Sequence, residues 1–160
     1  MGTRSTIALE YADGTVHQVY CHWDGYLSHN GQILQEHYNS ARANNLVALG
    51  DLSSLKATIG EKHAFSQFEL QAEEVAGYKL LTENMCTFYG RDRGETGIEF
   101  KVAHTFEEFL EQVDHCGGEY YYVMENGVWY YGSMHESNPF YKRLVLLSQA
   151  LETETEKEVS

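Results

Sequence analysis

The chain is predicted to fold as a single α+β domain, an antiparallel sheet of about six strands with roughly four or five helices packed on it. Two hairpin signals, Asp13-Gly14 and Asn126-Gly127, sit near opposite ends of the chain between alternating or aromatic runs. Between them lie helix-start signals rather than the regular strand–helix alternation of a doubly wound fold.

Ser5 to Ala12 alternates, with Ile7, Leu9 and Tyr11 on one face, and Thr15 to Cys21 returns from the Asp13-Gly14 turn as a second strand. A helix is predicted over about Asn30 to Tyr38. Asn39 or Ser40 caps another helix that ends at Leu49, with Gly50 placed just past its end. Asp51 is expected to cap a turn of helix over Leu52 to Leu55. Ser66-Gln-Phe-Glu69 has the form of a capping box that opens a helix toward Ala76, stopped near Gly77. Residues 51–85 carry the weakest pattern in the chain.

Cys86 to Gly90 and Ile98 to Val102 are expected strands, joined by the charged turn Arg91-Asp-Arg-Gly-Glu-Thr-Gly97. Thr105-Phe-Glu-Glu108 is a second capping box. It precedes an apolar stripe of Phe106, Phe109, Leu110 and Val113, with Gly117-Gly118 as the stop. Glu119 to Met124 and Val128 to Tyr131 form the second hairpin. Asn138-Pro139 is the expected start of a last helix buried through Phe140, Leu144, Leu147 and Leu151. The domain therefore spans 1–151, and the acidic, Thr-rich residues 152–160 are expected to be a frayed tail.

A hydrophobic content of 42% with 13% aromatics is that of a globular protein. No run approaches the roughly 18 apolar residues of a membrane span. Met1-Gly2 with Thr6 fits a myristoylation pattern, but Thr6 belongs to the first strand and basic neighbours are few. Three cysteines, Cys21, Cys86 and Cys116, without a C-x-x-C pair, suit a reducing compartment. The formal charge of −13 disfavours phosphate-backbone binding. It is compatible with a solubility charge, a surface that docks on a basic partner, or nucleic-acid mimicry. From Thr105 onward eleven acids face three bases, so this third carries −8 of the total.

The densest chemistry is Tyr20-Cys-His-Trp-Asp-Gly-Tyr26 followed by Ser28-His-Asn-Gly31. A zinc set of Cys21, His22, Asp24 and His29 is disfavoured, because Cys21 and His22 point to opposite faces of a strand. Cys21 is expected to pack rather than act as a nucleophile. His22 and Asp24 could form an oriented imidazole. Arg4, Arg91 and Arg93 are conspicuous in an acidic chain and could join His22, Asp24 and His29 around a nucleotide-like anion. The alternative is that Arg91 and Arg93 pair with Asp92, Glu95 or Asp24. Glu119, Tyr121, Glu125, Trp129, Tyr131 and Glu136 are the expected partner-binding residues of an acidic, aromatic hairpin surface. Packing of those aromatics inside the fold is the competing expectation.

The Tyr20–Gly31 stretch, Thr3-Arg-Ser-Thr-Ile7, Gly50-Asp-Leu-Ser-Ser-Leu55 and Tyr89-Gly-Arg-Asp-Arg-Gly-Glu95 resemble an uncharacterised family of small acidic proteins of tailed phages and prophages. The likeness covers most of residues 1–110, with Leu27 standing where a proline is expected. The resemblance implies a phage setting, a location in the host cytoplasm and a stoichiometric effector of host or defence machinery. It carries over no catalytic residue. No cofactor or metal is expected, direct nucleic-acid binding is disfavoured, and a host protein is the expected partner. A homodimer through hairpin edges is compatible with the sequence.

Overall fold

The computed structural model describes residues 3–116, 119–133 and 144–159. Its centre is β1 (Ser5–Glu10), with β2 (Val16–Cys21) antiparallel on one side and β6 (Tyr120–Glu125) parallel on the other. Beyond β6 lie β7 (Val128–Ser133) and β8 (Val145–Leu146), both antiparallel. The far edge of β2 is shared: β5 (Lys101–Ala103) pairs with Val16–Gln18, and β3 (Leu52–Ser54) pairs at Cys21 and carries β4 (Thr87–Phe88) outward. The sheet is thus eight-stranded, mostly antiparallel, with two parallel pairings.

All six residues of β1 are buried, because helices cover both faces of the sheet at its centre. On one face Ile7, Leu9, Val19, Tyr122 and Met124 meet α1 (Gln32–His37), α2 (Ser40–Ala48) and α6 (Leu147–Val159) through Leu34, Leu46, Val47, Leu147 and Leu151. On the other, Ala8, Val16 and Val123 meet α5 (Phe106–Cys116) through Phe106, Phe109 and Val113. Each such large side chain contributes about 1.5–3 kcal/mol by leaving water. The predicted stripe of α5 is the buried one, and Thr105 Oγ1 accepts from Glu108 N at its start.

Several expectations are met closely. Asn39 caps α2 by accepting from Arg42 N at 3.0 Å, and Gly50 follows its end. Asn126 and Gly127 turn the second hairpin at φ 55° and 80°, the left-handed pair that matches the twist of its strands. Ser66 caps a 3₁₀ turn at Gln67–Glu69, whose Glu69 reaches back to Phe65 N.

Other expectations are corrected. Leu52–Ser54 is a strand, not a helical turn; the Asp51 side chain accepts from Tyr20 N at 2.9 Å and so ties β3 to β2. The helix expected to stop at Gly77 runs through it as α3 (Val75–Thr82), preceded by a 3₁₀ turn at Ala72–Glu74. The expected strand from Cys86 shrinks to Thr87–Phe88. Part of the charged turn is instead helical, α4 (Tyr89–Arg93), closed by Gly94. The last helix begins at Leu147, after β8, and continues to Val159 through the segment read as a tail. Its expected start at Asn138-Pro139 lies outside the described residues, as do Phe140 and the Gly117-Gly118 stop. No helix among the described residues is long and apolar enough to cross a membrane.

Candidate functional site

The densest motif of the sequence folds into a buttress. Gly25 donates to Thr3 O at 2.8 Å, and a Cβ at this position would lie 2.6 Å from Ser5 Cβ, so no larger residue fits without movement. Tyr122 OH donates to Gly25 O at 2.6 Å from β6. The buried Asn30 points its amide nitrogen at Ser5 Oγ, Cys21 Sγ and Trp23 O. Its oxygen is therefore the acceptor for His29 Nδ1 at 2.9 Å, which fixes the proton of that ring on Nδ1. Burial pushes the Cys21 thiol up to about 12, which removes it as a thiolate nucleophile. His22 Nδ1 pairs with Tyr20 OH at 2.7 Å, not with Asp24, whose φ of 55° is used to turn the loop.

The arginine loop is also committed to structure. All five N–H donors of Arg91 are used: Nε and Nη2 on Asp92, Nη2 on Cys86 O, and Nη1 on Ile59 O and Gly60 O. Asp92, fully buried at its carboxylate, also accepts from His63 N at 3.1 Å and Phe88 N at 2.8 Å. The His63 ring, 3.6 Å from the Asp92 carboxylate, places both nitrogens on carbonyls, Nδ1 on Ala64 O and Nε2 on Cys86 O. His63 was invisible in the sequence, since a lone histidine in an unpatterned segment gives no signal. Arg93 bonds Glu95 and lies over the rings of Phe65 and Tyr89, 4.3 and 4.9 Å from their centroids.

The six residues expected around an anion are thereby dispersed in role. Arg91 is spent on a buried clamp, His29 and Asp24 on the buttress, and Arg93 on an ion pair and two aromatic faces. Arg4 does approach β2: it opposes the burial that raises the Tyr20 phenol, and Tyr20 holds His22. Two surface cavities, of about 490 and 730 Å³, meet at the hairpin tip Gly127, and none of the six residues lines either one. Among the described residues no three His, Cys, Asp or Glu gather as a metal ion would require.

On the hairpin expected to present aromatic anchors, Tyr122 and Trp129 are buried and Tyr120, Tyr121, Tyr130 and Tyr131 are half-buried. Trp129 is only 4% exposed and donates Nε1 to Tyr38 O at 2.9 Å. Tyr121 lies over Gly132 and meets Phe109 edge-on, and Tyr131 packs on Tyr120 and Tyr122. Glu119 accepts from Arg4 N, Glu125 is exposed, and Glu136 lies outside the described residues.

Exposed apolar groups gather elsewhere, on the excursion between β3 and β4. None of the residues in its 3₁₀ turns or in α3 is buried. Phe68 is 88% exposed, Leu80 76% and Leu81 53%, and the Phe68 turn packs against α3. The same segment exposes Glu69, Glu73, Glu74 and Glu83, with Lys79 as the one base between Ser66 and Asn84. Val75, Tyr78 and Thr82 form the inward side, and Tyr78 OH ties down through Ala64 O at 2.8 Å. The sequence does not reveal this ridge: its capping box signals where a helix starts, not which residues stay exposed, and apolar residues normally imply a core.

No protein-family model, no curated protein and no solved structure matches the chain.

Proposed function

We propose that the protein is a phage accessory protein that acts stoichiometrically by binding a host protein, with defence machinery among its targets. The observation that carries this reading is the excursion at Phe68, Leu80 and Leu81, where large apolar groups stand in water on a segment that also exposes four glutamates and one lysine. Monomeric proteins seldom expose such a cluster without a use for it, and an acidic rim adds steering toward a basic partner. The resemblance of residues 1–110 to small acidic phage proteins, and the net charge of −13, support the same reading. Among the described residues, Cys21 and Asn30 in the buttress and Arg91, Asp92 and His63 in the clamp are engaged in holding the fold together.

The test is affinity capture from host lysate followed by a salt titration. A defined partner, recovered at fixed stoichiometry and released as salt rises, is the expected result; a catalytic turnover with no retained partner contradicts it.

A second reading, a nucleotide-like anion held by Arg4 and His22, keeps one observation in its favour: the Ser5–Cys21 pairing sets Arg4 beside the end of β2 that carries Tyr20 and His22. Nucleotide titration of the wild type against Arg4→Ala tests it, with a saturable signal lost in the variant as the supporting outcome.

A further inference from the structure

The ridge on the β3–β4 excursion has a composition that selects its occupant. Its apolar residues come from two elements packed together, Phe68 from the Gln67–Glu69 turn and Leu80 and Leu81 from α3. Between Ser66 and Asn84 four carboxylates face a single lysine, all exposed. A second copy of this chain would bring a like-charged rim against this one, and two molecules each at −13 repel. A partner surface of opposite charge, apolar along one stripe and basic on its flanks, meets both features at once. An amphipathic helix has that form: its i, i+3, i+4, i+7 side chains make a narrow apolar seam between rows of lysine or arginine.

We propose that the ridge formed by Phe68, Leu80 and Leu81 docks a basic amphipathic helix of a partner protein. The inference deepens the binding function proposed above and rests on it. The leucines and phenylalanine supply apolar contact, Glu73 and Glu83 pair with the flanking bases, and Glu69 and Glu74, which accept from Phe65 N and Gln71 N, add to the negative field. The clamp at His63, Asp92 and Arg91 anchors the base of the excursion, since His63 and Ile59–Gly60 are held from α4. The ridge therefore meets its partner as a preformed surface, which lowers the ordering cost of binding.

The probe is a pair of synthetic peptides of identical Leu/Lys composition, one arranged as a one-faced helix and the other scrambled so that leucines are spread around the helix. Anisotropy titrations at about 0.15 M salt, where the Debye length is about 8 Å, read binding beyond generic charge attraction. The one-faced peptide is expected to bind wild-type protein at least about tenfold more tightly than the scramble. Phe68→Ser, Leu80→Ser and Leu81→Ser leave the charge unchanged and are each expected to remove about tenfold of that affinity. Val128→Ser, at another exposed apolar residue on β7, is the control and is expected to change nothing. Circular dichroism verifies that the exposed substitutions leave the fold intact.

Equal affinity for both peptides, absence of saturable binding, or ridge variants that bind like wild type would each overturn the proposal. A homodimer in sedimentation that dissociates in Leu80→Ser would do so too, by assigning the ridge to a second copy. A lysate partner retained by all three ridge variants would remove this inference and leave the binding function standing.

Discussion

At the scale of single residues, the motif that looked most chemical is steric and hydrogen-bonding machinery. Gly25 sits where β1, the loop and Tyr122 converge, with less than 3 Å between a built Cβ and Ser5, Thr3 and Arg4 atoms. Gly25→Ala is expected to destabilise the protein by about 1–3 kcal/mol, the usual cost of overpacking, seen as a lower Tm at unchanged fold. Gly77, inside α3 with open space around its α-carbon, gives the opposite expectation: Gly77→Ala stabilises by about 0.5–1 kcal/mol through chain entropy. The two buried thiols are both raised above the ordinary cysteine range, chiefly by burial. Cys21 and Cys86 are therefore expected to resist alkylation in native buffer and to react fully in denaturant, which site-resolved mass spectrometry checks. The nature of the Tyr20–Gly31 cluster was half legible: the strand alternation placed Cys21 inward, but nothing in the spacing reveals that Asn30, nine residues later, gathers Ser5, Cys21 and Trp23.

At the scale of elements, legibility followed the range of the interactions. Asn39, the Thr105 box, the Asn126-Gly127 turn and the stripe of α5 act within a few residues, and each was readable. The pairing of β1 with β6 joins distant parts of the chain, and no local pattern encodes it. The same long-range fact explains why Tyr122 and Val123 of β6 are buried: once β6 lies beside β1, the two join the core clusters on either side of the sheet. The β3–α4 region failed for a different reason. Leu52, Leu55, Cys86 and Phe88 enter the core from it without a regular period, and the rest is tied down by the buried Arg91–Asp92–His63 clamp. Removing one partner of such a clamp leaves buried charge behind, so Asp92→Ala is expected to cost about 3–5 kcal/mol. Hydrogen exchange should rise first at 58–64 and 86–88, where Arg91, His63 and Asp92 hold the backbone; uniform exchange across the molecule would contradict this role.

At the scale of the whole molecule, excess negative charge acts on both stability and association. Asp51 shows the first effect. Burial raises its carboxyl above the ordinary 3.8, against the Tyr20 N–H bond and Lys101, and with Glu99 and Glu95 adding to the rise. The folded state then binds its proton more tightly than the unfolded state does. Its contribution to stability therefore falls as pH rises from the unfolded value through the raised folded one, and stays lost above it. Asp51→Asn keeps an oxygen for Tyr20 N and removes the charge, so it is expected to raise Tm at neutral pH and to flatten this segment of the pH–stability curve. For association, the exposed glutamates of the Phe68–Leu81 segment are expected to make partner capture weaken as salt rises.

Binding through the excursion is tested most directly by hydrogen exchange on the complex with a host partner captured from lysate, compared with the free protein. Slowed exchange concentrated at residues 66–84, with the tyrosine hairpin unchanged, is the predicted result. Protection confined to β6, β7 or the Gly127 cavities, with 66–84 exchanging as in the free protein, would contradict it.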